Sequence, residues 1–174
     1  MPDFSLSDAL AEAYASAPAA EVVLHTLEFR HGAFPSPVRV VRDRQDFTAT
    51  LEATAPANPG ESVTFVALGF DFALPTAERA TVSEIEITLD NAAAELMPYL
   101  DLAAQSEDLI EVTYRPYLAS DPSGPQTDPP VTMTVMAASA DVFRVRARAG
   151  FADLANRRFP SEIYDGERFP GLAA

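Results

Sequence analysis

The spacing of apolar residues changes abruptly within Ser83–Leu100, SEIEITLDNAAAELMPYL, and the rest of the chain is organised around that change. Ile85, Ile87 and Leu89 alternate with Glu84, Glu86 and Thr88, the period of two that turns apolar groups to one sheet face and polar groups to the other. A strand with one wet side is predicted. Asp90 and Asn91 stand where side-chain oxygens cap a helix start, Ala92–Leu96 is a helix-forming run, and Pro98 comes closely behind, so a helix is predicted over 91–99. A sheet with one helix laid against it is the expected result.

The same reading extends along the chain. Ser5 or Ser7 can cap a short helix to about Ser16, with Leu6, Leu10 and Tyr14 on one face. Glu21–His31 is a strand: Val23, His25, Leu27, Phe29 and His31 share one face, and Val22, Leu24, Thr26 and Glu28 the other. With apolar groups on both faces, it is expected to be central or sandwiched. After the GAFPSP turn, Val38–Val41 and Phe47–Ala53 are short strands, and APANPG at Ala55–Gly60 is a loop. Ser62–Leu74 is the longest strand, with Gly69 a candidate bulge. Asp108–Leu118 is a strand in which Pro116 predicts an edge or a bend. Ala119–Pro130 is a long exposed loop, and Val131–Ala137 with Asp141–Ala149 makes a hairpin around Ala138–Ala140. The division is a helical segment 1–20, a β domain 21–150 and an extended arm 151–174 carrying Phe159, Tyr164 and Phe169 at no regular period. The fold class expected is mainly β (α+β): an antiparallel β-sandwich or barrel of about seven strands with one flanking helix and a short N-terminal helix.

Composition narrows the chemistry. At 174 residues with 48 % hydrophobic content, one domain can bury a sizeable core, and disorder over most of the chain is excluded. Cysteine is absent, which removes disulfides, thiolate nucleophiles, cysteine-ligated zinc and iron–sulfur clusters together. No run approaches the ~18 apolar residues of a membrane span and the N-terminus lacks the basic head of a signal peptide, so a soluble intracellular product is expected. The formal charge is −14, and every base is an arginine. Such a chain repels a duplex unless it holds a basic patch. Solubility and a specific electrostatic role are both open readings of that charge.

Candidate chemistry is sparse. His25 and His31 lie roughly 20 Å apart along an extended strand at ~3.3 Å per residue, too far to share one metal ion without a bend. Glu84 and Glu86 read as an acid pair or as an exposed acidic sheet face. Asp90–Asn91 lacks a surrounding calcium-loop pattern and is better read as a helix cap. No nucleophile elbow, phosphate loop or dinucleotide glycine fingerprint is present, so no catalytic residue, metal ligand or cofactor is assigned and no enzymatic activity is expected. Arg144, Arg146 and Arg148 alternate with Val145 and Ala147, a three-arginine row on one strand face. It is either a solvated face or a partner for carboxylates such as Glu84 and Glu86, across the sheet or on a neighbouring copy.

A family resemblance adds a function. LEFRHGAFPSPVRVVRD at Leu27–Asp43, VTFVALGFDFALP at Val63–Pro75, ITLDNAAAELMPYL at Ile87–Leu100, VTYRPYLASDP at Val112–Pro122 and GFADLANRRFPSEIYDGERFPGL at Gly150–Leu172 together resemble an uncharacterised family of phage and prophage tail proteins. The resemblance implies a structural protein of a long-tailed phage: a minor tail or tail-tip component with a tube- or distal-tail-like fold, made in the host cytoplasm and built into the virion tail tip. Its implied partners are itself, as a hexameric or trimeric ring, and the tube, hub and tape-measure proteins; genomic DNA would pass without specific binding, and no membrane insertion is implied. Under that reading Phe159, Tyr164, Phe169, Arg144, Arg146 and Arg148 are interface candidates, Glu84 and Glu86 are channel-facing candidates, and Ala119–Pro130 reaches a neighbour. A non-virion assembly adaptor or chaperone is the alternative. An envelope-degrading hydrolase is a third reading, opposed by the absence of a nucleophile or metal-ligand cluster.

Overall fold

The alternation Leu24–Arg30 builds a strand buried on both faces, and the domain assembles on its two sides. The computed structural model describes residues 5–6, 21–72, 84–90, 93–141 and 144–150. Among them are eleven strands: β1 (Ser5–Leu6), β2 (Val23–Arg30), β3 (Val38–Val41), β4 (Phe47–Thr50), β5 (Ser62–Ala67), β6 (Phe70–Phe72), β7 (Glu84–Asp90), β8 (Glu111–Leu118), β9 (Thr127–Asp128), β10 (Val131–Ala140) and β11 (Arg144–Gly150). One helix, α1 (Ala93–Ala103), lies between β7 and β8. Nine strands form a single open sheet in the order β4-β5-β3-β2-β8-β10-β11-β7-β6, and β1 pairs β9 separately. The fold is mainly β with one flanking helix, as the periodicity predicts.

The sheet is mixed rather than wholly antiparallel, because β3 and β5 run parallel. The reason lies in Ser62–Phe72, which serves both flanks of the sheet. Its first half pairs with β3 and β4, and its second half pairs with β7. Between the halves Leu68 N–H donates to the Val41 carbonyl, and Gly69 C=O accepts from Asp90 N–H. One continuous strand is thereby broken at Leu68–Gly69, near the predicted bulge, and the sheet curls until its flanks meet.

Curling gives two apolar layers on opposite faces. Leu27, Phe29, Val112, Tyr114, Ile87 and Met133 belong to the larger core, which α1 covers through Leu96. Leu24, Val41 and Tyr117 face the other way, against Leu51, Val63 and Phe65 from the β4–β5 unit. Phe65 of β5 and Phe70 of β6 fall in different cores, one on each side of the break. Ile85, Ile87 and Leu89 are buried and Glu86 is exposed, so the one-sided strand is realised.

Four local expectations are corrected. The helix does not end at residue 99 but runs to Ala103, with Pro98 well inside it. Its ring forfeits the hydrogen bond to the carbonyl four residues earlier, and packing of Leu96 with the half-buried Leu100 on the core holds the later turns. Pro116 stands in a strand flanked by β2 and β10, not at an edge. Pairing with β10 ends at Tyr114, and the Pro116 carbonyl takes Gln126 N–H on that flank, so the missing donor faces a loop rather than a ladder. Ala138–Ala140 continue β10, and the reversal is set by Asp141, whose carboxylate accepts Arg144 N–H while its own N–H donates to the Arg144 carbonyl. Finally, Ser5–Leu6 is a strand on Thr127–Asp128 rather than a helix start, which also pins part of the Ala119–Pro130 loop. The rest of the predicted N-terminal helix and the arm 151–174 lie outside the described residues.

Candidate functional site

Two charged arrangements arise from this topology, one buried and one exposed. The buried one forms because β2, β3 and β8 place Glu28, Arg39 and Arg115 on the sheet face opposite the larger core. Glu28 and Arg115 are both 0 % exposed. Arg39 Nε donates to Glu28 Oε2 at 2.7 Å, Arg115 Nη1 lies 3.3 Å from Glu28 Oε1, and Arg30 Nε lies 3.4 Å from the same oxygen. Arg115 also makes a two-pronged contact with Glu52, at 2.8 Å from both Nε and Nη2. Glu52 belongs to the β4–β5 loop, and Arg39 Nη2 reaches Asn58 Oδ1 of the same loop at 2.8 Å. Asn58 and Gly60 supply the left-handed backbone (φ 56° and 67°) that folds the loop over the arginines. Burial pulls the Arg115 pKa down, but the Glu52 hydrogen bond and the Glu28 and Glu52 charges outweigh it, so the net shift is upward. Tyr117 beside it is raised by burial, and its hydroxyl donates to the Thr50 carbonyl at 3.0 Å. With its central groups inaccessible to solvent, this cluster fastens the loop to the sheet and holds no exposed reacting group.

The exposed arrangement lies on β7 and β11. Val145, Ala147 and Ala149 are buried, so Arg144, Arg146 and Arg148 share the outer face. Antiparallel register sets Arg144 opposite Asp90, Arg146 opposite Thr88 and Arg148 opposite Glu86, with Glu84 opposite Gly150 at the end of the row. Arg144 Nε contacts Asp90 Oδ1 at 2.7 Å. Asp90 pairs with Arg144 through its carboxylate and donates its N–H to the Gly69 carbonyl; Asn91, the other residue of the predicted helix cap, lies outside the described residues. Asp71 of β6, opposite Thr88, pairs with Arg42 at 2.7 Å. Arg144 thus meets a carboxylate across the sheet, Arg148 has Glu86 at the opposite register position, and the face carries both signs.

The histidines occupy separate sites. His25 Nδ1 lies 2.8 Å from the Tyr114 hydroxyl with Phe72 edge-on, and burial, then the Arg42 charge, lowers its pKa. His31 accepts Ala33 N–H at Nδ1, which leaves the proton on Nε2 to donate to the Asp108 carbonyl. Among the described residues no group of three or more His, Cys, Asp or Glu is arranged to hold a metal ion, and no helix is long and apolar enough to cross a membrane. Phe159, Tyr164 and Phe169 lie outside the described residues.

Two cavities are also present. An apolar one of about 40 Å³ lies between α1 and the sheet, lined in part by Phe34, Leu96, Tyr99 and Leu100. It is about the size of one water molecule and has no polar lining to hold one. The second is an open groove of about 720 Å³ where the end of β2, the start of β8 and β10 meet; Arg30, Phe34, Asp108, Leu109 and Thr134 are among its walls. Sequence reasoning missed this groove and the buried cluster. A glutamate amid a two-faced apolar strand was the available signal for the cluster.

Comparison with protein families matches a family described as Domain of unknown function (DUF1833) over residues 9–164. No curated protein matches the chain.

Proposed function

The chain belongs to the DUF1833 family, and from that premise we propose that it is a structural component of a long phage tail, placed at the tail tip and working as a closed ring of identical copies. The observation that carries this reading is the mixed-charge face of β7 and β11, where Arg144, Arg146 and Arg148 stand in register opposite Asp90, Thr88 and Glu86. Closure of a ring needs a heterologous contact, in which one patch meets a different patch on the next copy. An exposed, ordered row of arginines in a chain of formal charge −14 supplies one such patch, because carboxylates are abundant over the rest of the surface of any neighbour. Arginine suits the role, since its planar fork binds carboxylates in pairs. In this reading Glu84 and Glu86 belong to the contact face more naturally than to a bare channel wall, because arginines stand opposite or beside them. Net negative charge around the channel keeps DNA sliding instead of sticking. The resemblance of the chain to phage and prophage tail proteins supports the placement, and tube, hub and tape-measure proteins are the neighbours it implies. Tyr164 and Phe169 of the arm are proposed as further anchors on a neighbouring subunit.

Native mass spectrometry with negative-stain imaging of the purified chain tests this directly. A closed ring, dispersed by Arg146→Glu while the melting temperature holds, is the expected result, because Arg146 stands opposite Thr88 rather than a carboxylate. A strict monomer that is also missing from finished particles would overturn it and favour an assembly adaptor.

A further inference from the structure

Two exposed patches of opposite charge, each with an apolar part, lie on the two sides of β11. The first is centred on the break in register between β10 and β11. Val135 stands opposite Ala149 and Ala137 opposite Arg148, so Met136 and Ala137 together face one arginine. Met133 and Val135 are buried, whereas Met136 turns outward and is 48 % exposed. Arg146, also exposed, has Thr88 opposite it on β7 and Ser139 opposite it on β10, hydroxyls rather than carboxylates. One strand spacing across and two residues along, roughly 8 Å, separate this cation from Met136, whose polarisable, unbranched side chain adapts to what it packs against.

The second patch is the outer face of α1. Leu96 is buried and Leu100 half-buried against the core, whereas Met97, Pro98, Asp101 and Leu102 are exposed. At about 100° per residue these four fall within one arc of about 140°. Met97 is 40 % and Leu102 38 % exposed, and Asp101 stands one turn, about 6 Å, beyond Met97. Asp101 lies in the last turn, which carries no basic residue. Free carbonyls make that end of a helix partially negative, so a carboxylate there is stabilised by a cation brought from elsewhere.

β11 keeps the patches apart. Val145 and Ala147 line the small cavity with Leu96 and Leu100 on its inner side, and Arg146 lies on its outer side. The two patches cannot meet within one chain. Neither suits its own kind, since arginines would face arginines and Asp101 would face Asp101. We propose that the outer face of α1 in one copy docks on the patch of Met136 and Arg146 in the next, with Asp101 paired to Arg146 and with Met97 and Leu102 packed on Met136. The apolar contact holds the copies together, and the ion pair selects the partner and its orientation. This inference rests on the reading of the chain as a ring of identical copies, and it names the second patch that a heterologous contact requires.

The full-length chain has no cysteine, so introduced thiols report this contact alone. Met97→Cys and Met136→Cys replace exposed side chains and leave the core intact. Mixed in equal amounts and oxidised, the two variants should give a disulfide-linked dimer of unlike chains at roughly tenfold or more the yield of dimers of like chains. Adding Arg146→Glu to the Met136→Cys chain should lower that yield by roughly tenfold, and adding Asp101→Arg to the Met97→Cys chain should then restore it. A variant that merely failed to fold could not be rescued by a change in another copy. Equal yields from like and unlike chains, or a yield indifferent to the charge reversals, would overturn the proposal even if native mass spectrometry finds a ring. Crosslinking with the expected charge dependence in a chain that native mass spectrometry finds only as a monomer would uphold the docking and count against the closed ring.

Discussion

Replacing Arg115 with methionine tests the buried cluster at its centre. The substitution keeps an unbranched apolar stem but removes the two-pronged contact with Glu52 and the cation 3.3 Å from Glu28. Glu28 keeps Arg39 at 2.7 Å and Arg30 at 3.4 Å, so its charge is not stranded. Glu52, with 13 % of its side chain exposed, loses its arginine and must either stay desolvated or pull its loop away from the sheet. Removing one member of a buried ion pair typically costs about 3–5 kcal/mol. For a chain of this size each kcal/mol lowers the melting temperature by about 2–4 °C, so a fall of roughly 6–20 °C is expected at neutral pH. Circular-dichroism melts and urea titration of R115M, E52M and the double variant measure it as a cycle. The double variant should recover at least ~1 kcal/mol over R115M alone, because it removes the uncompensated carboxylate together with its partner. A loss below ~1 kcal/mol for R115M, the range of a solvent-exposed pair, would refute the claim that this arginine locks the loop to the sheet.

Local geometry sets two further outcomes. His25 has a lowered pKa in the folded chain, so the unfolded state binds its proton first. Stability is undiminished above the ordinary value of 6.5 and falls as pH drops below it toward the folded value. Urea titrations from pH 7.5 to 5.5 should show a steeper loss in the natural chain than in His25→Asn, and parallel curves would contradict it. Gly60 sits at φ 67° with open space around it, so Gly60→Ala should cost about 1–2 kcal/mol from backbone strain alone. An unchanged urea midpoint would show that the loop relaxes out of the left-handed turn.

Much of the fold was legible because burial here is periodic. Alternation marked β2, β3, β5, β7 and β11 and assigned the inner and outer faces of β7 and β11 correctly, since a period of two leaves no choice once one face is apolar. The two-faced pattern of β2 announced a central strand. Boundaries read from single residues did worse. Pro98 and Pro116 have the character of terminators, yet packing of Leu96 and Leu100 on the core carries the helix past the first, and the missing N–H of the second faces a loop. The small apolar stretch at Ala138–Ala140 carries no turn residue at all, and pairing with Ala147, Arg146 and Val145 makes it strand.

Residue type and spacing within single elements settled the mainly β class, the helix after β7, the exposed arginine row and the exclusion of cysteine chemistry, since none of these depends on a distant segment. Packing between remote segments settled the rest: which carboxylates meet those arginines, that Ser62–Phe72 serves both flanks, that Glu28 and Arg115 meet, and that a groove opens beside Gly150. These depend on register and curl. Short-range spacing does not encode where a strand 89 residues away will lie, as the hydrogen bond from Thr26 to the Arg115 carbonyl illustrates.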